Sequence, residues 1–158
     1  VDAPVPNAFA VPGGEVFITR PLIDLCAGDP HRLAGVLAHE LIHIDRRHAI
    51  ASLAASMAVR AGFRVVPFAH GMLLSRLVGG METLLTQGYR QDQELEADLF
   101  GSRTARLAGF DPRGLADLLE RVRAAAPAPE GPLAEVLQYF RSHPPLGLRI
   151  ERLRKEWG

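Results

Sequence analysis

The 158-residue chain contains a single cysteine, Cys26, so no intramolecular disulfide can form. Its apolar neighbours Leu22, Ile23 and Leu25 favour a small buried side chain over a nucleophile. The formal net charge is zero, which gives no electrostatic basis for a nucleic-acid partner, and we expect none. The chain also lacks internal repeats and low-complexity tracts, and its length suits one domain. These absences leave the function to be inferred from short motifs.

Long hydrophobic runs are missing as well. The apolar stretches at residues 49–59 and 65–75 would each rise only about 16 Å as helices, whereas the hydrocarbon core of a bilayer is roughly 30 Å thick. Because arginines interrupt its apolar residues, the region 49–88 is predicted to contact a membrane surface peripherally or to cover a cleft as a lid. A packed continuation of the preceding helix is the alternative that remains open.

The segment His39-Glu40-Leu41-Ile42-His43 places two histidines four residues apart. On a helix such residues share one face, so both imidazoles can bind one cation. Glu40 lies about 100° round the helix, where it can act on a metal-held water as a general base without being a ligand. No Pro or Gly falls between Val36 and Met57, and apolar residues recur at helical spacing. These are Leu33, Val36, Leu37, Leu41 and Ile44. By itself the motif leaves open a second interpretation, two surface histidines on an amphipathic helix.

A third metal ligand is predicted at Glu94, at the start of a helix predicted to run to Ala108. Catalytic zinc sites usually have three protein ligands and an open position for water, and the histidines supply only two. Asp98 lies one turn later on the same face, where it would accept a hydrogen bond from the free ring N–H of a ligating histidine. Glu96 is expected to face solvent. The apolar stripe of this helix is predicted to be Leu95, Leu99 and Ala105. Taken alone, the acidic stretch is equally typical of a helix start, where negative charge is favourable.

Four segments, in order, resemble the zinc metallopeptidases of the HtpX-like and BepA-like kind, which also include the CAAX prenyl endopeptidases and the mitochondrial quality-control protease. They are residues 7–14, 38–48, 92–98 and 142–150. The resemblance implies that Glu94 rather than Glu96 binds the metal, with Asp98 in support. It also implies that His143 and Arg149 lie near the site. There the histidine either caps the zinc in a resting form or stabilises the tetrahedral intermediate, and Arg149 is a candidate cation for the developing oxyanion.

Residues 7–11 and 15–19 alternate in a way typical of strands, and Pro12-Gly13-Gly14 supplies the turn, so a hairpin is predicted. Its exposed edge is expected to bind substrate by strand addition, with Asn7, Ala8 and Phe9 as substrate-binding residues. The other interpretation of Asn7 is an ordinary strand-start residue.

Further helices are predicted at Asp111–Ala125, Leu133–Arg141 and Leu146–Trp157. The expected fold class is therefore α+β and mostly helical, a zincin-like catalytic domain with a small hairpin or sheet beside the active-site helix. The chain begins without an initiator Met, and we expect residues 1–158 to be a single catalytic domain of a longer protein.

The expected function is a zinc-dependent endopeptidase that uses one Zn²⁺ ion. Zinc lowers the pKa of its bound water from about 15.7 to roughly 7, and Glu40 would take the proton. The resemblance implies protein or peptide substrates that are unfolded or membrane-associated. It also implies a role in membrane or envelope protein quality control, in a bacterial cell envelope, either periplasmic or membrane-associated.

Two alternatives remain open. One is a catalytically silent family member that acts as a chaperone or docking domain, which would capture substrate without turnover. The other is a structural metal, for which a closed site would need a fourth protein ligand, and His143 is the ready candidate.

Overall fold

The computed structural model describes residues 4–11, 13–52, 54, 89–125 and 145–158. In chain order its elements are strands β1 (Ala8–Ala10) and β2 (Val16–Ile18), followed by helices α1 (Arg20–Cys26), α2 (Pro30–Asp45), α3 (Gln91–Leu107), α4 (Gly114–Ala125) and α5 (Leu146–Trp157). The predicted fold class, mostly helical α+β with a small two-stranded sheet, is confirmed.

The two strands form the predicted hairpin and pair antiparallel, with Phe9 opposite Phe17. The turn includes Gly14 at a φ of 93°, a left-handed conformation that glycine adopts without steric cost. Ala8 and Ala10 are buried on the side that packs against α2. On the other side the rings of Phe9 and Phe17 stack with centroids 5.2 Å apart. The hairpin therefore lies directly against the helix that carries the two histidines.

Helix α2 begins at Pro30, and the side chain of Asp29 caps it by accepting a hydrogen bond from the backbone N–H of His31 at 2.8 Å. It ends at Asp45, although the sequence contains no Gly or Pro there. Arg47 adopts a left-handed backbone conformation with a φ of 54°, and residues 48–52 then form a new helical segment. The continuation of this helix, which the sequence left open as an alternative, is therefore interrupted at residues 46–47.

Helices α3 and α4 both pack on α2, and α5 closes over α3 and α4. The core is formed by two apolar clusters. One joins Ala8, Leu22, Cys26, Val36, Leu118 and Val122, and the other joins Leu115, Ala116, Leu119, Ile150 and Leu153. Helix α4 thus contributes Leu115, Leu118, Leu119 and Val122 to the core, and α5 has the predicted bounds. Burial of Cys26 also agrees with its predicted packing role.

The buried face of α3 differs from the predicted one. Leu95 and Leu99 are only partly buried, whereas the fully buried positions are mostly polar or small. These are Gln93, Glu94, Ala97, Asp98, Gly101, Ser102 and Ala105. Apolar periodicity placed Ala105 correctly but pointed to the wrong side of the helix at Leu95 and Leu99, because α3 turns its polar face towards α2.

Several predictions fall on other parts of the chain. His143, the predicted helix 133–141 and residues 55–88 lie outside the described residues. Among the helices that the structure describes, none combines the length and the apolar character needed to cross a bilayer.

Candidate metal centre

Helices α2 and α3 approach each other at Gly101, opposite His39. A Cβ atom at Gly101 would lie 2.9 Å from the backbone Cα and N of His39, closer than side chains pack. Glycine at this position therefore allows the two helix backbones to pack in contact. As a result, the buried face of α3 meets the histidine face of α2.

The three side chains predicted as metal ligands converge at this crossing. His39 Nε2 lies 3.1 Å from His43 Nε2, and Glu94 Oε2 and Oε1 lie 3.6 Å and 3.5 Å from these two nitrogens respectively. All three residues are at most 5% exposed. Donors bound to one tetrahedral zinc ion at about 2.0–2.2 Å would be separated by roughly 3.3–3.6 Å. The two carboxylate–imidazole spacings lie in this range and the imidazole–imidazole spacing is slightly shorter, so the donor types and their spacing suit one metal ion such as zinc.

His39 is held from behind by Asp98, as the sequence predicted for this carboxylate. The Nδ1 atom of His39 lies 3.0 Å from Asp98 Oδ1. Burial alone would lower the pKa of His39, but its contact with Asp98 and the charge of Glu94 raise that pKa above its ordinary value. A proton held on Nδ1 towards Asp98 leaves the Nε2 lone pair directed at the other two donors.

Arg149 completes this arrangement from α5. Its guanidinium donates to Asp98, from Nε to Oδ2 at 2.8 Å and from Nη2 to Oδ1 at 2.6 Å, and its Nη1 lies 3.1 Å from Glu94 Oε2. Burial would raise the pKa of Asp98, but Arg149 and His39 hold it below its usual range. Arg149 is itself 7% exposed. Arg149 was predicted to stabilise an oxyanion, and the structure places its guanidinium against the carboxylates of Asp98 and Glu94.

His43 is held by His48, a residue without a predicted role. Its Nδ1 lies 2.9 Å from Nδ1 of His48, whose Nε2 is 3.6 Å from Glu96 Oε2. In an unbroken helix, five residues would turn His48 about 140° away from His43. The helix break at Arg47 brings it back, so only an indication of that break would have revealed the contact. Glu96, expected to face solvent, is partly buried between Arg46 and His48.

Tyr89 is a second residue without a predicted role. Its ring stacks on the His43 imidazole with centroids 3.8 Å apart and planes inclined by 14°. Burial, and then the charges of Glu40 and Glu94, raise the pKa of its hydroxyl. Burial also lowers the pKa of His43 to about 2, so this imidazole is neutral and able to donate a lone pair. The sequence signal for Tyr89 was limited to a lone aromatic residue just before α3.

The remaining predicted residues lie at two places. Glu40 is 5% exposed and follows His39 directly on α2. Asn7 closes the hairpin through its backbone, since its N–H donates to Thr19 Oγ1 at 2.8 Å and its carbonyl accepts from Thr19 N–H at 2.9 Å. The Ala8 side chain is buried in the core and Phe9 stacks on Phe17, so the structure brings these three to the hairpin rather than to the ligand cluster.

Comparison with known proteins agrees with this geometry. The model of peptidase family M48 matches residues 1–157. The mitochondrial metalloendopeptidase OMA1 of Schizosaccharomyces pombe is 35% identical over 98% of this chain and 44% of its own length. A protease HtpX homolog of Methanopyrus kandleri is 30% identical over 95% of this chain and 56% of its own length. The metalloprotease YcaL of Escherichia coli is 30% identical over 94% of this chain and 57% of its own length.

The chain thus spans about half the length of the curated relatives it matches. No solved structure shows significant similarity to it. The resemblance that the four sequence segments indicated is confirmed by the match over nearly all residues: the chain belongs to peptidase family M48.

Proposed function

We propose that this chain is the catalytic domain of a zinc-dependent endopeptidase, with His39, His43 and Glu94 as the ligands of one zinc ion. The observation that carries the proposal is the spacing of the donor atoms, 3.1–3.6 Å, in a buried cluster of two imidazoles and one carboxylate. A structural site would need a fourth protein ligand. Among the described residues, the cluster of potential ligands contains these three alone.

The chemistry follows from the positions of the side chains. When bound, zinc supplies Lewis-acid activation of a water molecule and of the scissile carbonyl. Glu40 acts as the general base: it takes a proton from the attacking water and delivers that proton to the leaving nitrogen. One water is consumed, and the peptide bond is replaced by a carboxyl group and an amine. Asp98 and His48 hold the two imidazoles in the tautomer that presents Nε2 to the metal.

Arg149 serves this site differently from the sequence-based hypothesis. Its guanidinium contacts Asp98 and Glu94, so it fixes the orientation of both carboxylates and balances their charge. We therefore assign it a positioning role. The proposed roles of His143, as a cap on the metal or as a donor to the intermediate, stay predictions.

The proposed substrates are proteins or peptides in an extended conformation, which the hairpin beside α2 would bind by strand addition. Unfolded and membrane-associated proteins expose such segments. We propose membrane or envelope protein quality control, in a bacterial cell envelope, as the setting. This rests on the resemblance to the HtpX-like and BepA-like enzymes, and the mitochondrial relative shows that the family is not confined to bacteria.

The decisive experiment measures metal content and cleavage of an unfolded protein such as casein by the full chain, with and without a chelator. We expect about one zinc per chain, hydrolysis that the chelator abolishes, and recovery when zinc is restored. Stoichiometric zinc with casein binding but no hydrolysis would instead support the silent chaperone or docking domain. Absence of bound zinc would overturn the proposal.

A further inference from the structure

A cavity of about 250 Å³ lies between the hairpin turn and the carboxyl end of α2. His43 forms part of its wall, and so does Tyr89, which stacks on His43. Most of the other described lining residues are apolar, namely Ala10, Val11, Ile44, Ala49 and Ile50. A group that fills this cavity is therefore in contact with a candidate metal ligand.

The size of the cavity limits what it can hold. Sites for whole drug-sized molecules usually measure about 300–1,000 Å³, whereas an apolar cavity of about 150 Å³ accepts a benzene molecule. A volume of 250 Å³ thus matches one aromatic or branched aliphatic side chain with some solvent. Its position next to the hairpin agrees with a peptide that runs along the strand edge and inserts one side chain.

The charge at the cavity limits its chemistry further. Arg47 is exposed and lines the cavity. Among the described lining residues, it is the one whose side chain carries a permanent charge. The neighbouring Arg46 does not line it and pairs instead with Glu96. A lysine or arginine side chain entering the cavity would meet a like charge and lose hydration, so both effects disfavour it.

We infer that this cavity is a selectivity pocket for one apolar substrate side chain flanking the scissile bond, and that Arg47 discriminates against basic residues there. The inference rests on the proposed function, because the peptide must pass His43 to be cut. Binding energy in the pocket comes from removal of the apolar surface of the side chain from water. It would set which bonds are cut while strand addition stays tolerant of sequence.

The test separates binding from turnover by using the zinc-loaded Glu40→Gln variant of the full chain. Fluorescent decapeptides of alanine with one guest residue are titrated against it, the guest being phenylalanine, leucine, alanine or lysine. We expect phenylalanine or leucine to bind roughly tenfold or more tightly than alanine, and lysine most weakly. Equal affinities for the four peptides, or no binding of any, would overturn the inference.

Substitutions in the walls then assign the selectivity to this cavity. Ala49→Leu fills it and should abolish the preference for phenylalanine, whereas Ala51→Leu, in the same segment but exposed, should keep it. Arg47→Gln should improve binding of the lysine peptide, whereas Arg46→Gln should not. If Ala51→Leu has the same effect as Ala49→Leu, and Arg46→Gln the same effect as Arg47→Gln, the preference originates elsewhere and the inference is wrong.

Turnover by the chain with Glu40 intact is measured separately on the same peptides. Selective binding without any hydrolysis would leave the pocket in place and contradict the proposed endopeptidase. Hydrolysis of all four peptides without selective binding would support the proposed endopeptidase and contradict the pocket.

Discussion

Arg149 and Asp98 form a buried, two-pronged ion pair, with Nε–Oδ2 and Nη2–Oδ1 distances of 2.8 Å and 2.6 Å. The two residues are 51 positions apart and lie on α5 and α3, so the pair attaches the last helix to the back of the metal centre. The same Asp98 contacts His39, a candidate ligand. Stability of the fold and orientation of the ligand therefore depend on one carboxylate.

Replacing Arg149 by Met should lower the free energy of unfolding of the metal-free chain by about 3–5 kcal/mol, because the buried charge of Asp98 would lose its cationic partner. The free energy of unfolding is measured by urea titration. Arg152→Met on the exposed side of α5 is the matched control and should change it little. Similar losses for the two variants would show that the pair does not stabilise the fold.

Glu40→Gln should retain zinc and lose hydrolysis by about 100- to 10,000-fold, since an amide cannot accept the proton from water. Metal content and the rate of casein cleavage are measured on the same sample. Glu151→Gln, an exposed change on α5, serves as the control. A Glu40→Gln variant that cleaves at the unaltered rate would mean that another group is the base.

His48→Phe should weaken zinc binding about 10- to 100-fold, because it removes the partner of His43 Nδ1 while keeping a ring of similar size. Competition with a chromogenic chelator gives the affinity independently of turnover. Glu96→Gln should have a smaller effect, since this carboxylate is only partly buried and lies 3.6 Å from His48. Unchanged affinity in His48→Phe would exclude the positioning role.

Gly101→Ala should destabilise the chain by about 1–3 kcal/mol and weaken zinc binding, because the added methyl group would collide with the backbone of His39. Gly147→Ala on α5 meets no atom within 4 Å and is expected to be neutral or slightly stabilising. Thermal unfolding and chelator competition report the two effects. If the two alanines behave alike, close packing at Gly101 does not fix the distance between α2 and α3.

The ligand set illustrates how far local sequence patterns reach. Histidines at positions i and i+4 predicted His39 and His43 as a pair, and a carboxylate with an aspartate one turn later made Glu94 and Asp98 candidates, because each pattern lies within one helix. The choice of Glu94 over Glu96 depended also on the family resemblance. The hairpin and the bounds of α5 followed from equally local signals. Each of these features depends on residues that are near neighbours along the chain.

The features that were not predicted depend on tertiary contacts. Apolar spacing favoured Leu95 and Leu99 as the buried side of α3, but packing against a polar site reversed that side. His48 contacts His43 because the helix breaks at Arg47, and no Gly or Pro in the sequence indicates that break. Tyr89, which is distant in sequence, stacks on His43. Arg149 was expected to face an oxyanion, and its partners became clear only when α5 was seen to dock on α3.

Arg47 illustrates a compromise between stability and selectivity. An L-amino acid held at a φ of 54° costs roughly 1–2 kcal/mol relative to glycine, which could occupy the same bend without strain. The chain nevertheless has a long cationic side chain at this bend, at the rim of the pocket. We therefore expect Arg47→Gly to resist denaturation better than the parent chain and to bind lysine-containing peptides more readily.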